Sequence, residues 1–209
     1  MYTVFLAGGM ASGKSTVARM LEKKGARRLD LDQVSRDVLA PGSHCARALA
    51  EAFGQDLLDP NTGEINRREL AARAFATPEG VQSLEDIELP FIKNYLMEAL
   101  DMERRTAQAC DVCIVEVPLL DRIEDLIPQA DEVVAVICPY ELRKKRACVR
   151  GVSAEDFKKR VALQPSDEYL RSQADTIIDN ARDEAFLVAQ IDAWWDRLTG
   201  RLQSREVTK

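Results

Sequence analysis

Histidine is nearly absent: His44 is the only one in 209 residues. A zinc site is therefore short of its usual ligands. Cysteine is sparse and odd in number, at Cys45, Cys110, Cys113, Cys138 and Cys148. An odd count with no export signal predicts reduced thiols in a cytoplasmic protein. Cys110 and Cys113 form a lone C-x-x-C with no second pair, so they are expected to be small apolar residues beside a strand. No apolar run is long enough to span a bilayer, which argues against a membrane role. The opening MYTVFLAGG has no basic stretch and is not expected to be a secretion signal. Positive charge is in deficit too. Lys and Arg number 29 against 35 Asp and Glu, a net charge of −6. That argues against a nucleic-acid partner and requires any basic site to be local.

Apolar residues, in contrast, make up 46% of the chain, enough for a full core without disulfides or structural metals. Short β-branched or apolar runs at residues 3–7, 28–31, 113–117, 133–137 and 176–178 read as five strands. Helical periodicity separates most of them, beginning with residues 15–24 and ending with 183–202. Strands spaced by helices predict an α/β fold, a doubly wound parallel five-stranded sheet. About eighty residues between the second and third strands break this alternation and look helical throughout. Within them residues 59–63 are a turn cluster, Thr77 precedes a helix start at Pro78, and residues 91–109 carry apolar positions at helical spacing. Such a long crossover reads either as a helical insertion over a substrate or as padding of the core. Residues 141–164 form a second unusual segment, a basic helical hairpin broken at Gly151, with Ser153 and Asp156 in capping-box spacing. Trp194 and Trp195 continue the apolar stripe of the last helix and are expected in the core. From Gln203 the chain reads as a polar tail.

The deciding motif is residues 8–15, GGMASGKS, which fit G-x-x-x-x-G-K-[ST]. A glycine-rich loop offers backbone N–H groups to phosphate oxygens with no Cβ in the way. The helix that follows aims its N-terminal donors and dipole at the same anion. Lys14 adds positive charge for the β- and γ-phosphates, and the Ser15 hydroxyl can ligate magnesium. The motif follows a predicted strand and opens a predicted helix, as its chemistry demands.

Nucleotide binding does not specify a reaction. Asp30 and Asp32 stand at the end of the second strand, where ligands bind in open parallel sheets. On an extended chain both would face the same way. Asp32 reads either as the group that accepts or orients an acceptor hydroxyl, or as the N-cap of the next helix. Glu116 lies late in an otherwise apolar strand, placed to reach a magnesium-bound water. The sequence has no Asp-Glu pair of the hydrolysing ATPases and no N-K-x-D of the GTPases. Both gaps favour a small-molecule kinase.

At this point the chain resembles the dephospho-coenzyme A kinase family over nearly its whole length. GGMASGKSTVA resembles that family's phosphate loop, and LDLDQVSRDVL its D-A-D-x-I-x-R segment. GEINRRELAARAF, VEVPLL, LRKKRACVR with the helix ending at Gln164, and QADTIIDN are similar to four further family segments, in order. The resemblance implies that ATP phosphorylates the ribose 3′-hydroxyl of dephospho-coenzyme A, with magnesium. It implies that Gly8, Gly9, Met10, Ala11, Ser12, Gly13, Lys14, Ser15 and Thr16 bind the ATP phosphates and metal. Asp32 would be the base or orienting group, and Arg36, Arg67 and Arg68 substrate contacts. Arg146 and Arg150 would close over the phosphates from a lid, and Asn180 would lie near the adenine. Charge patterning alone reads LRKKR as a solvated helix face.

The implied layout is a single kinase domain over 1–209. Its core is 1–58, 110–140 and 166–209, with a helical substrate-binding insertion about 59–109 and a lid about 141–165. A monomer or small homo-oligomer is expected. The rival readings are another P-loop kinase, acting on shikimate or nucleoside monophosphates, and a non-catalytic ATP-binding module. The chain departs from the family pattern at four places: Ala11 replaces a loop glycine, Leu89-Pro90 replaces His-Pro, Asp121-Arg122 stand for Phe-Glu, and Asn180-Ala181 for Asn-Gly.

Overall fold

The computed structural model describes residues 1–106 and 112–207. Cys110 and the end of the helix expected over 91–109 lie outside them. The chain opens with β1 (Tyr2–Ala7), α1 (Lys14–Lys23) and β2 (Arg27–Asp30). Then come α2 (Leu31–Asp37), α3 (His44–Phe53), α4 (Arg67–Ala74) and the long α5 (Pro78–Thr106). It continues through β3 (Val112–Val117), β4 (Glu132–Ile137), α6 (Tyr140–Val149), α7 (Ala154–Ala162), α8 (Asp167–Gln173), β5 (Thr176–Asp179) and α9 (Glu184–Val207). It divides into two compact units, Met1–Asp30 with Arg104–Lys209, and Leu31–Glu103. The second unit takes in α2 and α3 as well as residues 59–103 of the insertion expected over 59–109.

The first unit holds a sheet of order β2-β3-β1-β4-β5, parallel throughout. All six residues of β3 and of β4 are buried, as befits strands covered on both faces. On one side α1 and α9 pack Val17, Leu21, Leu187, Ile191, Trp194 and Leu198 against Val4, Leu6, Ile114 and Val134. Trp194 is thus core, as its place in the stripe predicts. The register sets Glu116 of β3 beside Leu6 of β1 and beside Asp30 of β2. It thereby brings an acid to the sheet end from which the phosphate loop leaves.

The second unit is helical around its own cluster of Leu39, Cys45, Ala46, Leu49, Leu57, Ile65 and Leu70. Asp59 closes the turn at 59–63 by accepting from the Asn61 and Thr62 N–H groups, both at 2.8 Å. Thr77 caps the next helix through Gly80 N–H at 3.0 Å.

Two expectations fail, and two others join. The helix start expected at Pro78 and the apolar spacing expected from residue 91 belong to one helix, α5, and Pro90 lies inside it. Leu84, Ile87 and Phe91 pack against the cluster at spacings of three and four, so one apolar stripe runs across the proline. Asp30 and Asp32 do not alternate along one extended segment. β2 stops at Asp30, and Leu31 already opens a helix that buries Leu31 and Val34. Burying two residues three apart requires a helical turn. Asp32 therefore lies exposed in the first turn of α2 rather than capping it. Finally, α9 runs to Val207, through the residues read as a polar tail.

Candidate active site

The loop between β1 and α1 is built by chain reversal over a helix start. Gly13 stands before α1 at φ 103°, a left-handed conformation that favours glycine. The first N–H groups of α1 have no partner within the helix and point out of its N-terminus. A side chain at position 13 would collide with the Asn180 amide. Ala11 also has a positive φ, 60°, and is the only non-glycine that does so among the described residues. An L-residue there carries a cost of about 1–2 kcal/mol.

Lys14 and Ser15 converge on one carboxylate. Lys14 Nζ is 3.1 Å from Glu116 Oε2, and Ser15 Oγ donates to the same oxygen at 2.8 Å. Arg28 Nε donates to the other oxygen, Oε1, and Arg28 Nη2 lies 3.3 Å from Asp30 Oδ2. Glu116 is 0 % exposed and Lys14 8 %. Burial pushes the Glu116 carboxyl up, but Lys14, Ser15 and Arg28 outweigh it and hold the group below the usual carboxylate range.

That shift carries a pH dependence. The folded pKa lies below the unfolded value of about 4.3. The stabilisation is therefore present above the unfolded value and is lost as pH falls through the folded one. Urea unfolding should show stability dropping on the acid side of about pH 4, and Glu116→Gln should flatten that limb while lowering stability at neutral pH. An unchanged acid limb in Glu116→Gln would remove the carboxylate from this role.

The basic hairpin supplies two arginines in different ways. Arg146 donates from Nη1 to Cys138 Sγ at 3.2 Å and from Nη2 to the Asn180 carbonyl at 3.1 Å. Asn180 is 7 % exposed, and its Nδ2 donates to the Ser12 carbonyl at 2.7 Å. So Arg146, Asn180 and the phosphate loop form one connected group. Arg150 is exposed at the end of α6. The hairpin is not simply a solvated face, because Arg143, passed over in the sequence, is 4 % exposed. Its Nε donates to the Met10 carbonyl at 2.9 Å, and its Nη1 to Asp167 at 3.0 Å. Gln164 Oε1 accepts from the Met10 N–H at 2.7 Å. Arg28, Arg143 and Gln164 were the loop-side residues that the sequence reading missed. No local pattern marks any of the three: Arg28 lies in the polar stretch RRLD, Arg143 in a run of basic residues, and Gln164 at a helix end.

In the second unit Asp32, Arg36, Arg67 and Arg68 are all exposed. Arg67 Nη2 donates to the Arg36 carbonyl at 3.2 Å, which joins the start of α4 to α2. Nearby Glu88 accepts from Ser35 at 2.5 Å. Burial raises the Glu88 pKa, against the opposing pull of Ser35 and Arg67. Glu88 directly precedes the Leu89-Pro90 pair. Asp121 sits in a short 3-10 turn after β3, bonded through Oδ2 to Arg122 at 2.6 Å.

Among the described residues no helix is long and apolar enough to cross a membrane. The model of the dephospho-CoA kinase family matches residues 2–185. A dephospho-CoA kinase of Corynebacterium diphtheriae is 36% identical over 206 residues, covering 97% of this chain and all of the relative. A Thermus thermophilus structure aligns with a TM-score of 0.72 at 27% identity, covering 94% of this chain and 97% of that one. A dephospho-CoA kinase of Campylobacter jejuni also aligns at 0.72, with 22% identity and 95% and 97% coverage, which speaks for the fold alone. A match that runs through the loop, the basic hairpin and the last strand leaves no room for a chance motif: the chain belongs to the dephospho-CoA kinase family.

Proposed function

We propose that this chain transfers the γ-phosphoryl group of ATP to the ribose 3′-hydroxyl of dephospho-coenzyme A, giving coenzyme A and ADP. Family membership names the reaction. The observation that carries the chemistry is the convergence of Lys14 Nζ and Ser15 Oγ on Glu116 at the head of α1. Anionic phosphates entering the loop offer Lys14 a competing partner, and Arg28 keeps Glu116 neutralised when Lys14 turns toward them.

Magnesium fits this donor set. Ser15 Oγ and Glu116 Oε2 are oxygens 2.8 Å apart, the ligand type that magnesium takes. Ser15 would hold it directly and Glu116 through water. Bound there with ATP, magnesium supplies neutralisation of charge on the β- and γ-phosphates.

The loop N–H groups and Lys14 steady the transferring group, and Arg146 and Arg150 add positive charge from the hairpin. Asp32 orients the acceptor hydroxyl and takes its proton as the new oxygen–phosphorus bond forms and the γ-phosphorus leaves the β-bridging oxygen. Its position two residues beyond β2, at the ligand-binding end of a parallel strand, supports that role. Arg36, Arg67 and Arg68 are cations suited to the phosphates of the acceptor. Asn180 borders the nucleotide beside the loop. The odd cysteine count supports a cytoplasmic placement.

The test is incubation with Mg·ATP and dephospho-coenzyme A, followed by mass spectrometry and ADP release. Coenzyme A formed in step with ADP is the expected result. ATP binding with no coenzyme A, alongside turnover of shikimate, gluconate or a nucleoside monophosphate, would replace the acceptor.

A further inference from the structure

Residues 9–12 form a turn closed by Ser12 N–H on the Gly9 carbonyl at 3.0 Å. Ala11 is the third residue of that turn and has φ 60°. A turn with positive φ at its third position is the type that calls for glycine there. With alanine, rotating the central Met10–Ala11 peptide by half a turn gives the ordinary form with negative φ and removes the strain. That rotation would reverse the Met10 carbonyl and also the Ala11 N–H, one of the backbone donors of the loop read as the phosphate site. A strained backbone of this kind persists only where its surroundings over-determine it.

The surroundings here are specific. Arg143 Nε holds the Met10 carbonyl, which belongs to the central peptide itself. Asp167 anchors the guanidinium. Gln164 holds the Met10 N–H, which belongs to the Gly9–Met10 peptide whose carbonyl closes the turn. The guanidinium lies so close over Gly9 that a Cβ there would come within 2.5 Å of Nη2. Both peptides that decide the form of the turn are therefore gripped by side chains from beyond β4.

We infer that Arg143, assisted by Gln164, is a positioning residue for ATP, locking the Met10–Ala11 peptide in its phosphate-binding orientation, a task that Ala11 makes necessary. This rests on the reading of the loop as the ATP phosphate site. Arg143 acts through the loop backbone, so its loss should weaken nucleotide binding and leave acceptor binding alone. The dependence should also vanish when position 11 is glycine, which accepts either sign of φ.

The experiment measures Mg·ATP binding by calorimetry for Arg143→Met and Gln164→Met, each with Ala11 and with Ala11→Gly. Methionine keeps the apolar stem and removes the polar head. Thermal unfolding confirms that each variant is folded, and Gln164→Met carries the test should Arg143→Met not fold. With Ala11 the Kd should rise about tenfold, the weight of one lost hydrogen bond and the order it enforces. In the Ala11→Gly background the same substitution should cost less than about threefold, and the KM for dephospho-coenzyme A should stay within about twofold. Equal losses in both backgrounds, or no loss in either, would overturn the inference alone. Failure of the unsubstituted chain to bind ATP would overturn the loop assignment with it.

Discussion

Replacing Lys14 by alanine should lower phosphoryl transfer by about 10²- to 10³-fold, the loss seen when one preorganised charge stabiliser is removed. The side chain is 8 % exposed and is held 3.1 Å from Glu116, so it waits beside the loop and need only turn toward a phosphate. The same substitution takes one partner from a buried carboxylate and should cost about 1–3 kcal/mol of stability. Arg28 and Ser15 remain on Glu116, so the protein should stay folded. Lys14→Arg separates the two effects. It keeps the charge beside Glu116, yet a planar guanidinium does not reproduce the compact ammonium. Its thermal unfolding should approach that of the unsubstituted chain while kcat stays low. Normal turnover in Lys14→Ala would sink the loop assignment.

Asp32→Asn should lower kcat by about 10²-fold or more, with a smaller change in either KM. Asparagine matches aspartate in size and keeps one oxygen, so the first turn of α2 can form unchanged. What it loses is the charge that accepts a proton. Steady-state rates with both substrates varied, together with ADP release, read the outcome. A rate near that of the unsubstituted chain would leave Asp32 only its structural place at the start of α2.

Much of the architecture was readable because its causes are local. Short β-branched and apolar runs mark β1, β3, β4 and β5 in the right places, the first three as largely buried strands and β5 as an edge strand in which only Ile178 is buried. The phosphate loop was readable for the same reason: its glycines, Lys14 and Ser15 are contiguous, and their roles follow from their order. Where the reading failed, two local signals competed. Asp30 and Asp32 alternate as strand residues would, but the burial of Leu31 and Val34 together sets the helix start at Leu31, two residues earlier than an Asp32 cap would. Pro90 lacks the N–H that a helix interior uses, yet the apolar stripe on either side of it runs through one helix from Pro78.

The sequence by itself determined the parallel α/β frame, the phosphate loop, its two working side chains and, through ordered motifs along the chain, the family. The tertiary structure alone decided which distant groups serve that loop. Glu116 meets Lys14 across 102 positions, Arg28 across 88, and Asn180 reaches Ser12 across 168. It alone distinguished Arg143, buried on the Met10 carbonyl, from Arg146 on Asn180, although both lie in one run of basic residues. Spacing along a chain reports which face of an element a side chain takes. What that face meets depends on strand order and register, and those follow from packing the whole core at once.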